Sequence, residues 1–315
     1  MTVRVPPLKC QGIKTKLVDW IKDHSTFENK GTWIEPFMGS GVVGFNAAPR
    51  RAVFADVNPH IINFYNAIKN KKITAGNAKE FLEHEGVLLQ KHGENHYYEV
   101  RDRFNKEFDP FDMLFLNRAC FNGVMRFNKK GLFNVPFGHK PERFAKAYVT
   151  KITNQIKYVS QATSQYDWNF ICSDFHQIIA SASDNDLIYC DPPYIGRHVD
   201  YYNSWGEQEE QDLYELLKVT PAKFILSTWH SNKYRTNSAI EKYAYHFTIL
   251  TREHFYHVGA NEKNRNPMLE AIVLNYNPLT PIDLQEEKQL SLLEKKRKEE
   301  YVLYSSPSVQ ALTTR

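Results

Sequence analysis

Apolar residues gather near both ends of this chain in short strand-like runs, and the stretch between them changes to helical spacing. Residues 33–37 (WIEPF) predict a strand that runs through Met38-Gly39-Ser40-Gly41 into the apolar helix start GVVGFNAA. Residues 52–58 (AVFADVN) predict a second strand closed by an acid and Asn-Pro, and positions 61–68 follow with helical spacing. Such a β-α-β opening marks a parallel sheet covered by helices. The pattern returns late in the chain. Residues 169–172, 186–190 (DLIYC), 223–229 and 270–276 each predict a strand, and the LLKVT ahead of 223 reads as a helix end. Residues 77–160 carry no such unit. They hold helical stretches at 79–92, 96–106 and 144–160 around an Asn/Gly-rich, aromatic and basic segment, 117–138. Residues 281–301 predict a charged helix and 305–315 a frayed end.

The expected fold is therefore α/β: a doubly wound, Rossmann-like sheet with an inserted, mostly helical unit bearing a β-hairpin. The expected division is 1–76 with 161–280 as the sheet domain, 77–160 as the insert, and 281–315 as a charged C-terminal helix and tail.

Composition narrows the function. At 14% aromatic residues the chain is no disordered polymer. With no 18-residue apolar run and a mean hydropathy of −0.54, no membrane span is expected. The N-terminal residues lack the apolar core of a secretory signal. Cys10, Cys120, Cys172 and Cys190 form no CxxC, which suits a reducing cytoplasm better than a disulfide framework or a zinc site. The net charge is only +4, yet 118–157 alone carries nine basic residues and one acid. That block fits a polyanion as readily as an ordinary solvated face.

Gly39-Ser40-Gly41-Val42-Val43-Gly44 matches GxGxxG after a strand, with Asp56 closing the next one. Taken alone this is a dinucleotide fingerprint and would suggest a nicotinamide oxidoreductase. Two details oppose that reading. Asp56 follows Gly44 too closely, and Glu35 just before the loop suits a cationic ligand better than a pyrophosphate. S-adenosylmethionine (SAM), with its sulfonium and amino group and no phosphate, fits both. A tight turn with no ligand is the plainer alternative.

Asp191-Pro192-Pro193-Tyr194 follows the apolar strand DLIYC. Ligands in open α/β sheets bind at the carboxyl ends of strands, which sets this loop beside the glycine loop. Two acceptors, the Asp191 carboxylate and the Pro192 carbonyl, suit an exocyclic aromatic amine. They would stabilise the positive charge that grows on it during alkylation. Pro192 and Pro193 stiffen the loop, and Tyr194 offers a face for a base that has left the duplex. A capped Pro-Pro turn is the plain alternative.

With EPFMGSG, ADVN, DPPY and the intervening FNGVMRFNKKGLFNVPFG, the chain resembles the Dam-type (alpha-class) DNA adenine N6-methyltransferases, and among them the EcoRV-type modification methyltransferases. The resemblance covers about 3–276. It implies a site-specific DNA-methyltransferase (adenine-specific) that takes its methyl group from SAM, leaves S-adenosylhomocysteine, and needs no metal. It implies Asp191, Pro192, Pro193 and Tyr194 as catalytic. It implies Gln11, Gly12, Lys14, Glu35, Phe37, Gly39, Gly41, Asp56 (on the ribose), Asp174, Phe175 and Asp191 around the cofactor. Lys9, Arg118, Phe121, Asn122, Arg126, Asn128, Lys129, Lys130, Pro136, His139 and Lys140 would meet DNA.

The residue types agree with those DNA roles. Arg126 can bond a guanine edge twice, and Asn122 and Asn128 suit adenine. Lys129 and Lys130 on a turn reach phosphates, and Phe121 can fill the gap left by a flipped base. Phe121 in the core and Asn122-Gly123 as a bare turn are the plain alternatives. Phe121 and His139 depart from Dam itself, which has tyrosine and arginine there. The implied site is GATATC with its first adenine modified. The alternatives are GATC or another GAT-containing site, or an inactive DNA-binding relative. Action on RNA or on cytosine is disfavoured by DPPY. The implied partner is double-stranded DNA, bound by a monomer in the cytoplasm away from any membrane, with room for a cognate restriction endonuclease. His254 and His257 have metal-like spacing but lack a third ligand, and Cys190 lacks an activating base.

Overall fold

The computed structural model describes residues 2–128, 130–194, 205–255, 267–278 and 300–304. Their sheet has eight strands in the order β3-β2-β1-β4-β5-β7-β6-β8. These are β1 (Trp33–Glu35), β2 (Arg51–Asp56), β3 (Asp167–Cys172), β4 (Leu187–Cys190), β5 (Lys223–Asn232), β6 (Thr248–Phe255), β7 (Pro267–Leu274) and β8 (Glu300–Tyr304). The first five are parallel, and β7, β6 and β8 continue antiparallel. From β1 the chain winds outward through β2 and β3, then returns to lay β4 and β5 on the other side. The order reverses between β1 and β4, where open α/β sheets leave a crevice above the strand ends.

Alternation along the strands builds two apolar layers. Trp33, Leu187 and Tyr189 face one cluster, while Ile34, Ile188 and Cys190 face the other. The first layer holds α1 (Val18–Asp23), α2 (Val42–Ala47) and α3 (Pro59–Lys69); the second holds α8 (Phe175–Ala180), α9 (Glu207–Val219) and α10 (Ala239–Ala244). Asn58 caps α3 by accepting from the His60 backbone N–H at 3.0 Å, and Pro59 follows at the first helical position.

The insert consists of α4 (Ala75–His92), α5 (Glu94–Glu107), α6 (Pro110–Ala119) and α7 (Lys146–Gln165), with an irregular hairpin between α6 and α7. It packs on α3 and β3. Its interior is no separate core: one buried cluster runs from Trp33, Phe54 and Trp168 through Leu82, Tyr97 and Phe115. Within it, Glu85 receives His96 Nε2 at 2.6 Å, and the Arg103 guanidinium bridges Glu85 to Asp112.

Three expectations change. The boundary at 160 falls inside α7, which runs to Gln165. The strand β6 was not foreseen. Glu300 and Tyr301, expected in a charged helix, lie in β8, which pairs with β6 and so ties the tail to the sheet. Residues 281–299 and 305–315 lie outside the described residues.

Candidate active site at the sheet's switch point

The glycine loop crosses the end of β1. Gly39 and Gly41 have φ of 46° and 72°, in the left-handed region that favours glycine. Gly44 serves packing instead. A Cβ there would lie 2.4 Å from the Phe54 ring and 2.6 Å from the Glu35 carboxylate. The loop is held from below by Tyr65, whose hydroxyl donates to the Ser40 carbonyl at 2.7 Å.

Asp56, at the end of β2, accepts the backbone N–H of Gly39 on one carboxylate oxygen and that of Asn58 on the other, both at 2.9 Å. Burial lifts its pKa to about 6 against the pull of those two N–H groups. Glu35 is 2% exposed and accepts from the Trp33 indole N–H at 2.9 Å. Burial pushes its pKa to about 8, although the Trp33 and Gly44 N–H groups oppose the rise. The sequence placed Glu35 against the cofactor; the structure sets it under the loop.

At the end of β4, Asp191 meets Lys14. The ammonium donates to both Asp191 oxygens, at 2.7 and 2.9 Å, and to the Gly12 carbonyl at 3.0 Å. Side-chain exposure is 3% for Lys14 and 22% for Asp191, so the lysine is enclosed while the carboxylate keeps an opening. Burial raises the Asp191 pKa and Lys14 holds it down. Lys14 also stands 5.0 Å from the Tyr194 ring centre, and the Tyr194 hydroxyl donates to Glu270 at 3.2 Å. Pro192 is buried and Pro193 half-buried.

On the other side of the crevice Phe37, Phe175 and Trp205 form an aromatic wall, with centroids 5.3 to 5.5 Å apart. Asp174 caps α8 through the His176 N–H at 2.8 Å and also holds the His176 ring, which reaches Asp212. Burial lowers the His176 pKa, but those two acids raise it more. Trp205, Glu270 and His176 were not singled out from sequence. Trp205 belongs to a stretch with no helix or strand period; Glu270 is 76 positions from Tyr194, and His176 joins its near neighbour Asp174 to Asp212, 36 positions further on.

The basic segment is tied to this site through the N-terminal residues. Asn117, fully buried, accepts from the Lys9 N–H and donates to the Lys9 carbonyl, both at 2.8 Å. Lys9, Asn122 and Gly123 line one cavity with Cys10 and Gln11. Burial and the nearby Arg118 and Arg143 lower the Lys9 pKa to about 8. Gln11 and Gly12 are exposed. Phe121 is 53% exposed, beside Asn122 in a left-handed conformation (φ 54°).

Arg126 is half-buried and held by Asn134, whose Oδ1 accepts its Nε at 2.9 Å. Asn128 does not present an acceptor to a base. Its Oδ1 takes the N–H of Lys130 and of Leu132, closing the hairpin turn, and its amide nitrogen remains as donor. Arg118 is half-buried and donates to the Pro7 carbonyl and Gln155, so it secures the N-terminal segment rather than standing on the surface. Burial lowers its pKa to about 10. Lys130, Pro136, His139 and Lys140 are exposed; Lys129 lies outside the described residues.

An acid-lined crevice beside a glycine loop, with an aspartate at the end of β4 and a basic hairpin alongside, invites comparison with known proteins. The profile of the D12 class of N6 adenine-specific DNA methyltransferases matches residues 11–258. The chain belongs to this family. The DNA adenine methylase of Haemophilus influenzae is 35% identical over 242 residues, 72% of this chain and 79% of that protein. That of Escherichia coli K12 is 35% identical over 192 residues, 59% of this chain and 64% of the other. The type II methyltransferase M.FokI of Planomicrobium okeanokoites is 27% identical over 87% of this chain and 43% of its own length. The D12 assignment makes DNA adenine the substrate and rules against the nicotinamide reading of the glycine loop. No group of three or more candidate metal ligands occurs among the described residues of this D12 chain, and no described helix is long and apolar enough to cross a membrane.

Proposed function

We propose that this DNA adenine N6-methyltransferase is SAM-dependent and works at the Asp191–Lys14 crevice. The observation that carries the reading is the half-open Asp191 carboxylate, neutralised from behind by an enclosed lysine, at the point where the strand order reverses. The residues around it fit SAM. Among the described residues, Asp56, Asp174 and Asp191 give an acidic rim that suits a cationic ligand, and Phe37, Phe175 and Trp205 offer flat apolar surface for an adenine ring.

When bound, SAM supplies an electrophilic methyl group and leaves as S-adenosylhomocysteine. The Asp191 carboxylate accepts a hydrogen bond from the target amine. Each of its oxygens has a second lone pair beyond the one facing Lys14. The Pro192 carbonyl accepts the other amine hydrogen, and the two acceptors stabilise the charge that develops on nitrogen. Tyr194 presents a ring face to the flipped base, its hydroxyl fixed by Glu270. Glu35 and Asp56 act on the shape of the glycine loop, and Asp56 keeps lone pairs for a ribose.

The hairpin is the reading element, with Arg126 on guanine and Asn122 and Phe121 near the displaced base. The DNA-facing set also includes Lys9, Lys129, Lys130, Pro136, His139 and Lys140. Residues 77–160 supply recognition on a shared core. The finer reading, an EcoRV-type enzyme that modifies the first adenine of GATATC, rests on the resemblance of the hairpin segment. GATC or another GAT-containing site is the alternative. A monomer acting on DNA in the cytoplasm, with or without a cognate endonuclease, completes the proposal. Labelled SAM and plasmid DNA test it. N6-methyladenine mapped to GATATC is expected, and Asp191→Ala should abolish transfer. N4-methylcytosine or no product would overturn the chemistry, and methylation at GATC generally would overturn the site alone.

A further inference from the structure

The geometry points to a second duplex-binding element on the flank of the crevice opposite the insert: the short hairpin at the end of β5, which grips the phosphate backbone beside the target. This rests on the proposal that the reaction takes place at the Asp191 end of the sheet. Cys190 pairs with Leu226, so Asp191 lies level with Ser227, while β5 continues to Asn232. At 3.3 Å per residue that carries the strand roughly 20 Å past Leu226, beyond the end of β4 and still paired with β7, on the side where the crevice opens.

The chain turns back at its tip. Ser231 bridges to Thr236, Asn232 N–H donates to the Arg235 carbonyl at 2.9 Å, and Asn237 N–H donates to the His230 carbonyl at 2.8 Å. The Asn232 side chain accepts the N–H of Tyr234 and Arg235 at 2.9 and 3.1 Å, and Asn237 Nδ2 donates to the Trp229 carbonyl at 2.8 Å. The tip is thus ordered before anything binds it.

What it presents is Lys233-Tyr234-Arg235, all exposed. Tyr234 is 77% exposed and contributes nothing to either apolar layer. Lys233 leans over the Tyr234 ring, and the Arg235 guanidinium packs 5.0 Å from the centre of the buried Trp229 ring. The tip segment, 229–238, holds Lys233 and Arg235 and no acid. The insert, with its own basic hairpin, packs on the β3 side of the sheet. Two basic, aromatic prongs therefore stand on opposite sides of Asp191. A lysine ammonium and a tyrosine hydroxyl at the tip of such a prong suit phosphate oxygens, contacts that add affinity without reading sequence.

The test uses the full-length protein, a duplex of about 30 base pairs carrying one modifiable site, and the variants Lys233→Ala and Tyr234→Ala. Dissociation constants are measured across a salt series, with melting temperatures as a folding control. Each variant should bind about three- to tenfold more weakly. Lys233→Ala should also flatten the log-log salt slope by about 0.9, the loss of one phosphate contact. The ratio of modification at matched and mismatched sites should stay at the wild-type value. Affinity and salt slope equal to wild type in both variants would overturn the inference while leaving methylation intact. A changed site ratio would overturn it too, because the tip would then be reading bases. A wild-type protein that neither binds nor methylates duplex DNA would remove the functional reading itself.

Discussion

Lys14 donates to both carboxylate oxygens of Asp191, at 2.7 and 2.9 Å, across 177 positions of sequence. The pair joins the N-terminal segment to the end of β4. It also sets the charge state of the proposed catalytic group, since burial pushes the Asp191 pKa up and Lys14 opposes it.

Lys14→Met should therefore move the acid limb of the pH–rate profile upward. Without the ammonium the half-buried carboxylate holds its proton to higher pH, and the protonated form accepts poorly from an amine. The limiting rate should fall by about 10²-fold or more, in line with loss of a charge-stabilising contact. A variant whose acid limb matches wild type would show that Lys14 does not control Asp191.

Glu35 makes stability depend on pH in a specific direction. Its folded pKa of about 8 lies above the usual carboxylate value of about 4.3. A group raised on folding stabilises fully below its unfolded pKa and loses that contribution as pH climbs through the folded one. Between pH 4.5 and 8 the wild type should lose on the order of a few kcal/mol that Glu35→Gln keeps. Denaturant titrations of both proteins at pH 5 and pH 8.5 measure this. Parallel losses in the two would assign the dependence to other groups.

Arg126 depends on Asn134 for its aim. Asn134→Ala removes the acceptor at 2.9 Å that fixes the guanidinium and leaves the hairpin backbone bonds in place. Discrimination at one base pair should drop by about tenfold, part of the 1–3 kcal/mol that a bidentate guanine contact supplies. Total affinity for unrelated DNA should stay level. Mapping methylated sites in competing substrates gives the ratio.

Much of the fold was legible because strand and helix write different periods. β1 to β5 and β7 carry compact apolar runs with turn residues behind them. β6 escaped notice because Arg252, Glu253 and His254 interrupt its apolar run, and its EHFYH end drew attention to ligand spacing instead. Glu300 and Tyr301 follow a charged, helix-like stretch, and only pairing with β6 makes them strand.

At the site, the types of residue were legible and their partnerships were not. Asp56 reads as a ligand-binding acid, yet its two oxygens also organise backbone from two different loops. Asn128 reads as a base reader, but a turn two residues later claims its oxygen. Arg118 counts as surface charge in sequence and is half-buried against Pro7. Each difference comes from a contact that short-range pattern does not encode.

The buried cluster that passes without a break from Trp33 and Phe54 into Leu82, Tyr97 and Phe115 has a consequence for how specificity can change. Lys69 clasps the neck of the insert by donating to the Trp168 carbonyl at 2.7 Å, which makes residues 70–167 look like a detachable cartridge. They are not one. A helix face that turns its apolar side toward the sheet has to be inherited together with the strands and the N-terminal segment it grew against. A transplanted insert without α3 and the stretch around Lys9 would arrive with half an interior. New target preferences are thus expected to arise by exchange of side chains on the outer rim of the hairpin, where substitution leaves that shared interior untouched.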